Sequence, residues 1–338
     1  MSLVVNINGP LNETGYGIAF SGIVSALKDR TDVVVNGPQD GFDPSADIGI
    51  LVHLPATACR PGVVPLGRKR AVFSMIEAES LPETWVLGCH MVDHIIVPSS
   101  HSREVFARCQ KRPVSVCPLP VREVFFDPKR RGVRDGKVRL LQSGAATGRK
   151  NPVVLYNAFT RAYSTRKDVE LLIRFSSGND IVQLKSTSNC VVTCQDLRPD
   201  AVRGLYHKHD CFVYPSSGEG FCYPVLEAAA TGMPVITTNC TAMKDYIDIL
   251  GMIPISISNQ PILSSYPPHG ERSVMFAVTE EAIINAIDEA LENFEAISER
   301  AYERAPLVAE LYGRKAVAER LVRVIEEILN GTESRKAC

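Results

Sequence analysis

The feature that most constrains this chain is a repeated alternation of short, nearly unbroken apolar runs with helix-like segments. In the first third, "LVVNIN" (3–8), "VVVN" (33–36), "DIGILVHL" (47–54), "RAVFSMI" (70–76), "HIIVPS" (94–99) and "VSVCP" (114–118) read as strands. Residues 16–29, 82–89 and 100–109 read as helices between them. Strand–helix alternation implies parallel sheets with helices on both faces. Strands covered on both faces are apolar throughout rather than at every second residue.

The pattern breaks at "REVFFDPKRRGVRDGK" (122–137), rich in charge with Pro and Gly, and then resumes. Strands are expected at "VRLLQSG" (138–144), "VELLIRF" (169–175), "CVVTC" (190–194), "CFVYP" (211–215) and "PVIT" (234–237), with helices at 151–163, 199–208 and 223–231. A length of 338 residues fits two domains better than one. The fold class is therefore α/β, with two doubly wound, Rossmann-like domains, 1–125 and 138–313, joined by a linker at 126–137. Such domains bind ligands at the carboxyl ends of their strands, so two facing domains imply a cleft lined by strand-to-helix loops. The tail from 279 to 331 reads as helical, its 314–330 segment amphipathic, and "SNQPILSSYPPHGER" (258–272) reads as a long loop.

Composition narrows the class little. Lys and Arg number 37 against 38 Asp and Glu, a formal net charge of −1, which gives no general attraction to nucleic acid or anionic membrane. Ten cysteines form no C-x-x-C pair and no zinc spacing, as expected of reduced core thiols in a cytoplasmic protein. The opening "MSLVVNINGP" lacks the order of a signal peptide, and no apolar run reaches the roughly 18–20 residues of a membrane span.

The stretch with the most chemical content is "YPSSGEGFCYPVLEAAATGMPVIT", from Tyr214. A strand ends, Ser216, Ser217 and Gly218 turn, and a helix starts near Cys222, after an exposed-looking Phe221. Glu219 lies on the loop and Glu227 inside the helix, eight positions later. The backbone amides of Gly220, Phe221, Cys222 and Tyr223 then point outward at a helix N-terminus, which favours anions. Carboxylates on either side suit neutral hydroxyls. A ligand with phosphates in the middle and hydroxyls at both ends fits that layout, and a nucleoside diphosphate sugar has it. Spacing alone equally allows two ordinary solvated or capping glutamates.

This stretch is very similar to the signature of the retaining, GT-B-fold family-4 glycosyltransferases (glycosyl transferases group 1). A weaker likeness extends to "GYGIAFSGIVSAL", "IIVPSSHSREVF", "VCPLPVREVFFDP" and "LLQSGAATGRKNPVVLYNAF". The resemblance implies that Glu219 faces the donor sugar and Glu227 the nucleotide ribose, with the backbone at Gly220, Phe221, Cys222 and Tyr223 against sugar and diphosphate. Relatives commonly carry Gly where this chain has Cys222. The first domain would then be the acceptor side and the second the nucleotide-sugar side, with a C-terminal helix (314–338) packing back on the first.

Breaking a bond to a diphosphate develops negative charge that needs fixed cations. In "SGAATGRKNP", opened by Gly144, Lys150 falls on the family lysine. The family arginine position holds Ala145, and Arg149 is the expected substitute. Gly15 and Gly17 of "NETGYGIAF" would let backbone approach the donor. Glu77 of "FSMIEAES" takes the place of a sugar-contacting histidine, with Glu79 close by. His53 is either cleft-facing or a packed strand-end residue. "HKHD" (207–210) has metal-like residue types on an expected helix end. No cofactor and no metal are expected.

The function implied is transfer of a hexose, UDP-glucose being the first donor considered, to a hydroxyl with retention. The acceptor class is open: saccharide, lipid-linked, protein, or, if the chain is viral, hydroxymethylated DNA bases. A non-catalytic nucleotide-sugar-binding or partner-binding protein is the alternative, supported by Ala145 and Cys222.

Overall fold

The apolar runs pair in parallel register into two six-stranded sheets. The structure is a computed structural model and describes residues 2–12, 14–133, 135–176, 184–258, 261–266 and 271–331. The chain divides into two units, one of Met1–Val121, Leu263–Val274 and Leu311–Cys338, the other of Arg122–Ile262 and Met275–Glu310.

The first unit begins β1 (Leu3–Asn8), α1 (Gly15–Lys28), β2 (Val33–Asn36), β3 (Ile48–Val52), β4 (Lys69–Phe73), α2 (Glu83–His90), β5 (His94–Val97), α3 (Ser100–Cys109) and β6 (Val114–Val116). Its sheet order is β2-β1-β3-β4-β5-β6. Val5 lies opposite Ile48, and Ile50 opposite Ala71. Every residue of β3 is buried, which is why "IGILV" has no polar alternation. At about 1.5–3 kcal/mol for each fully buried aliphatic side chain, these strands and the buried Trp85 supply the unit's main hydrophobic stabilisation.

The second unit runs β7 (Val138–Ala145), α4 (Pro152–Tyr163), β8 (Val169–Ser176), β9 (Cys190–Cys194), α5 (Pro199–Lys208), β10 (Cys211–Tyr214), α6 (Tyr223–Ala230), β11 (Val235–Thr238) and β12 (Ile253–Ile255). Its sheet order is β12-β11-β10-β7-β8-β9. Leu171, Ile173, Val213, Ile236 and Ile253 from the sheet pack with Leu155 and Phe159 of α4 in one core.

The expected loop at 258–272 is a misreading. Strands β13 (Pro261–Tyr266) and β14 (Glu271–Phe276) form a separate two-stranded sheet. Pro261, Ser264 and Ser265, which signalled a loop, lie within β13, and residues 259, 260 and 267–270 lie outside the described residues; β13 leads to β14 rather than to a helix, so the alternation used to find the other strands could not reveal it. The helical tail resolves into α7 (Glu280–Glu292), α8 (Phe294–Tyr312) and α9 (Arg314–Asn330). Within the first unit, Arg314 at the start of α9 donates to Ser25 Oγ of α1 at 2.7 Å, and Val317 and Leu321 of α9 are fully buried. Among the described residues, no helix is long and apolar enough to cross a membrane.

Each sheet has one topological switch point. In the first unit the chain leaves β1 toward β2 on one side and returns to β3 on the other. In the second it leaves β7 toward β8 and β9, and returns to β10 on the opposite side. The loops after β7 and β10 therefore diverge from neighbouring parallel strands, leaving a crevice where doubly wound sheets bind ligands.

Candidate active site

The loops after β7 and β10 are laced together at that crevice. After β7, the turn Gly148–Lys150 leads to Asn151, whose backbone is left-handed at φ 50. That conformation suits Asn better than most residues. Asn151 Nδ2 donates at 2.8 Å both to the Pro215 carbonyl and to Ser217 Oγ. The Ser217 amide donates to the Arg149 carbonyl at 2.8 Å, and Gln142 Nε2 to the Lys150 carbonyl at 2.9 Å. From β14, the Phe276 amide donates to the Ser217 carbonyl at 3.2 Å. These bonds hold the cationic turn beside the Glu219 loop.

Glu219 is only 7% exposed. Arg149 Nη1 lies 2.6 Å from its Oε1, and Ser216 Oγ donates to the same oxygen at 3.0 Å. Arg149 also donates to the Gly218 carbonyl. The Glu219 amide donates to Thr241 Oγ1 at 2.8 Å, fixing the backbone. Burial by itself would raise the Glu219 pKa. The charges of Arg149 and Lys150, with the Arg149 and Ser216 hydrogen bonds, outweigh it, so the carboxyl is held below its ordinary value. It is an ionised acceptor at neutral pH.

Lys150 reaches over Gly144. A β-carbon on Gly144 would lie 3.3 Å from Lys150 Nζ and 3.7 Å from the Tyr214 hydroxyl. The ammonium stands 5.9 Å from the Tyr214 ring centre, within cation–π range. Burial, then the Glu219 charge, pushes the Tyr214 hydroxyl well above its ordinary pKa, so it stays neutral. Ala145 ends β7 opposite Ser176 and carries no polar group to the site.

Past the turn, α6 begins at Tyr223 with Pro224 in its first turn, where a missing N–H costs nothing. Phe221 is not exposed, as the sequence suggested, but 3% exposed. Its ring meets Tyr223 edge-on at 5.1 Å, and its carbonyl accepts from the Tyr246 hydroxyl at 3.0 Å. The Phe is part of the turn's packing.

Cys222, the N-cap, is left-handed at φ 69. That region costs a non-glycine residue about 1–2 kcal/mol, and Gly would occupy it freely. Cys222→Gly is therefore expected to raise stability by about 0.5–1 kcal/mol, after the entropy of the added glycine in the unfolded chain is set against the relieved strain. A denaturant midpoint at or below wild type would show that no strain resides there. The thiol is 5% exposed, and burial followed by the Glu219 charge drives its pKa well up, so it is no nucleophile.

Glu227, in α6, is separated from Glu219 by its surroundings. It is 3% exposed and pairs with Arg122, whose Nη2 and Nε lie 2.6 and 3.0 Å from Oε1. Here burial prevails over Arg122 and the carboxyl pKa is raised. Sequence reasoning missed Arg122. It lies within the quoted "VCPLPVREVFFDP", but 105 positions from its partner, and no local pattern links the two. Asn151 was missed as a support for the same reason, its partner Ser217 being 66 positions away.

Gly15, Gly17, His53, Glu77 and Glu79 lie in the first unit, on loops and helix starts that follow β1, β3 and β4. Gly17 is buried in α1, and a β-carbon there would fall 1.9 Å from the Asn12 carbonyl oxygen. Gly15 has open space around it. Gly17→Ala is thus expected to cost about 1–3 kcal/mol through overpacking, and Gly15→Ala almost nothing, in paired thermal melts. Tyr16, between them, bonds Ser74 Oγ at 2.8 Å and stacks on His53 at 5.7 Å. Burial, with the Glu77 charge, raises the Tyr16 pKa against the lowering effect of the Ser74 bond. His53 Nδ1 accepts the Leu54 amide at 2.8 Å, and burial, then Arg60, lowers its pKa. It is a packed strand-end histidine. Glu77 is half-buried, while Glu79 pairs with His101 and Arg108, each at 3.6 Å. In "HKHD", His207 contacts the Asp127 carbonyl at 3.0 Å and His209 the Leu205 carbonyl at 2.8 Å, so both rings serve local packing.

Residues 137–256, which hold this crevice, match the family described as Glycosyl transferases group 1. The whole chain has the GT-B fold. It superposes on Anabaena Alr3699/HepE in complex with UDP-glucose with a TM-score of 0.67, at 11% identity, covering 97% of this chain and 100% of that one. Sucrose-phosphate synthase from Thermosynechococcus elongatus gives 0.66 at 13%, covering 98% and 100%. By sequence, 84 residues are 34% identical to a GDP-mannose-dependent alpha-mannosyltransferase of Mycolicibacterium smegmatis, 25% of this chain and 22% of that one. A further 49-residue match, 41% identical, is to O-antigen chain mannosyltransferase B of Escherichia coli, 14% and 13% of the two chains. The matches thus span about a fifth or less of these curated relatives.

Proposed function

We propose that the protein is a retaining glycosyltransferase that moves a hexose from a nucleoside diphosphate sugar to an acceptor hydroxyl. The observation that carries this reading is the meeting of Lys150, Arg149 and Glu219 at the β7–β10 crevice, beside the start of α6. Lys150 supplies a compact point charge for the diphosphate. Arg149 keeps Glu219 ionised, so the carboxylate accepts hydrogen bonds from sugar hydroxyls. The first amides of α6 have no intrahelical acceptor and add donors for the phosphates.

In the reaction, the bond from the anomeric carbon to the diphosphate oxygen breaks as the acceptor oxygen bonds to that carbon on the same face. The acceptor proton passes to the departing phosphate oxygen. The carboxylate nearest the cationic turn, Glu219, is held by Arg149 and Ser216 rather than poised as a nucleophile, which favours this route over double displacement. Glu77, on the first unit, is assigned to the acceptor side on the resemblance.

The donor panel should include both UDP-glucose and GDP-mannose. Fold relatives bind the first, and the sequence-matched relatives are named for mannose transfer. Incubation with a set of nucleotide sugars, read as free nucleoside diphosphate, is expected to show slow release from one of them. Absence of release and of binding for every donor would favour a non-catalytic role, for which the replacement of the family arginine by Ala145 is the supporting feature.

A further inference from the structure

We propose that Arg122 positions Glu227 for the ribose of the donor, holding one carboxylate oxygen so that the other accepts the ligand's hydroxyl. The proposal rests on the nucleotide-sugar reading above.

The pairing geometry is what points there. Arg–carboxylate pairs frequently run fork to fork, one nitrogen to each oxygen. Here both Nε and Nη2 converge on Oε1, and Oε2 takes no part in the pair. The guanidinium itself is held in place. It lies 5.1 Å from the centre of the buried Phe125 ring, which packs on Tyr206 at 5.8 Å. The Arg122 side chain is 30% exposed while that of Glu227 is 4% exposed. The arginine thus reaches from the solvent side to a buried carboxylate. An enclosed carboxylate without a partner takes up a proton, and a protonated Glu227 would lose its strength as an acceptor.

The groups facing Glu227 are Arg122, Tyr206 of α5 and Tyr223 of α6. Both tyrosines are neutral, being raised by burial and by Glu227 itself. Arg122 is the one among them that opposes the burial effect. Its removal therefore lifts the carboxyl pKa further, and binding that needs the anion is lost first at low pH.

The test is calorimetric titration of UDP and of GDP into wild type, Arg122→Ala, Arg122→Lys, Glu227→Gln and the Arg122→Ala/Glu227→Gln double variant, from about pH 6 to about pH 9. Arg122→Ala is expected to weaken binding about tenfold or more near pH 6, with the gap closing as pH rises. Arg122→Lys should recover most of the loss. In the Glu227→Gln background the arginine change should matter less than about twofold, because its target is gone. An equal loss in that background would assign Arg122 a merely structural role and overturn the proposal, as would wild-type affinity in Arg122→Ala at every pH. Should Arg122→Ala not fold, the Lys variant and the Gln variant still decide: a Lys variant no better than Glu227→Gln overturns it. A wild type that binds neither nucleotide overturns the nucleotide-sugar reading and the proposal together, whereas wild-type binding with an indifferent Arg122 overturns the proposal alone.

Discussion

Lys150→Ala is expected to lower the rate of nucleotide release from the donor by about 10²–10³-fold, the scale seen when one charge-stabilising group is removed from a reaction centre. The loss should fall on kcat more than on KM, since charge grows on the leaving diphosphate as the bond breaks. Lys150 is suited to this because its ammonium stands over Gly144, where no side chain blocks it, and against the Tyr214 face. Its charge also helps to keep Glu219 ionised, although Arg149 contributes more to that effect. Glu219→Ala should cut turnover sharply as well, by removing the acceptor for sugar hydroxyls. The measurement is the initial rate of nucleotide release at saturating donor. If both variants turn over like wild type, the crevice is not the reaction centre.

The second large effect concerns stability. Arg149→Ala leaves the Glu219 carboxylate in its buried place without its 2.6 Å partner. Breaking a buried pair from one side typically costs about 3–5 kcal/mol, and a value near 3 is expected, since the Arg149 side chain is 20% exposed. The pH dependence has a definite sign. In wild type the Glu219 pKa is depressed, so its pairing stabilises the fold above the ordinary carboxyl range. That stabilisation fades as pH falls through the depressed value. Wild type and Arg149→Ala should therefore differ most near neutrality and converge in acid. Arg149→Ala/Glu219→Gln should recover much of the stability, having no buried charge left, but not the activity. Denaturant midpoints across pH, read beside nucleotide release, check both statements. A constant difference at all pH values would show that Arg149 acts by packing rather than by pairing.

Much of the architecture was legible because it rests on local rules. Runs such as "IGILV" and "CFVY", set between helix-like segments, read as strands covered on both faces, and they are the fully buried β3 and β10. The exception at 258–272 is instructive. β13 and β14 pair with one another rather than with a six-stranded sheet, and β13 leads to β14 instead of to a helix, so strand–helix alternation did not mark them.

For the candidate site, the order of residues in the chain was enough to put Gly144, Arg149 and Lys150 after one strand and Glu219 to Tyr223 after another. It also fixed the helix that follows and the unusual Cys222. The folded chain brought these loops to the switch point between β7 and β10, because strand order depends on which edges pair and not on chain position. It likewise decided the two partnerships that set the carboxylates apart. Arg149 wins over burial at Glu219, whereas burial wins over Arg122 at Glu227. Both outcomes follow from distances between groups 70 and 105 positions apart in the chain, and a Coulomb energy depends on separation in space, which no spacing in sequence encodes.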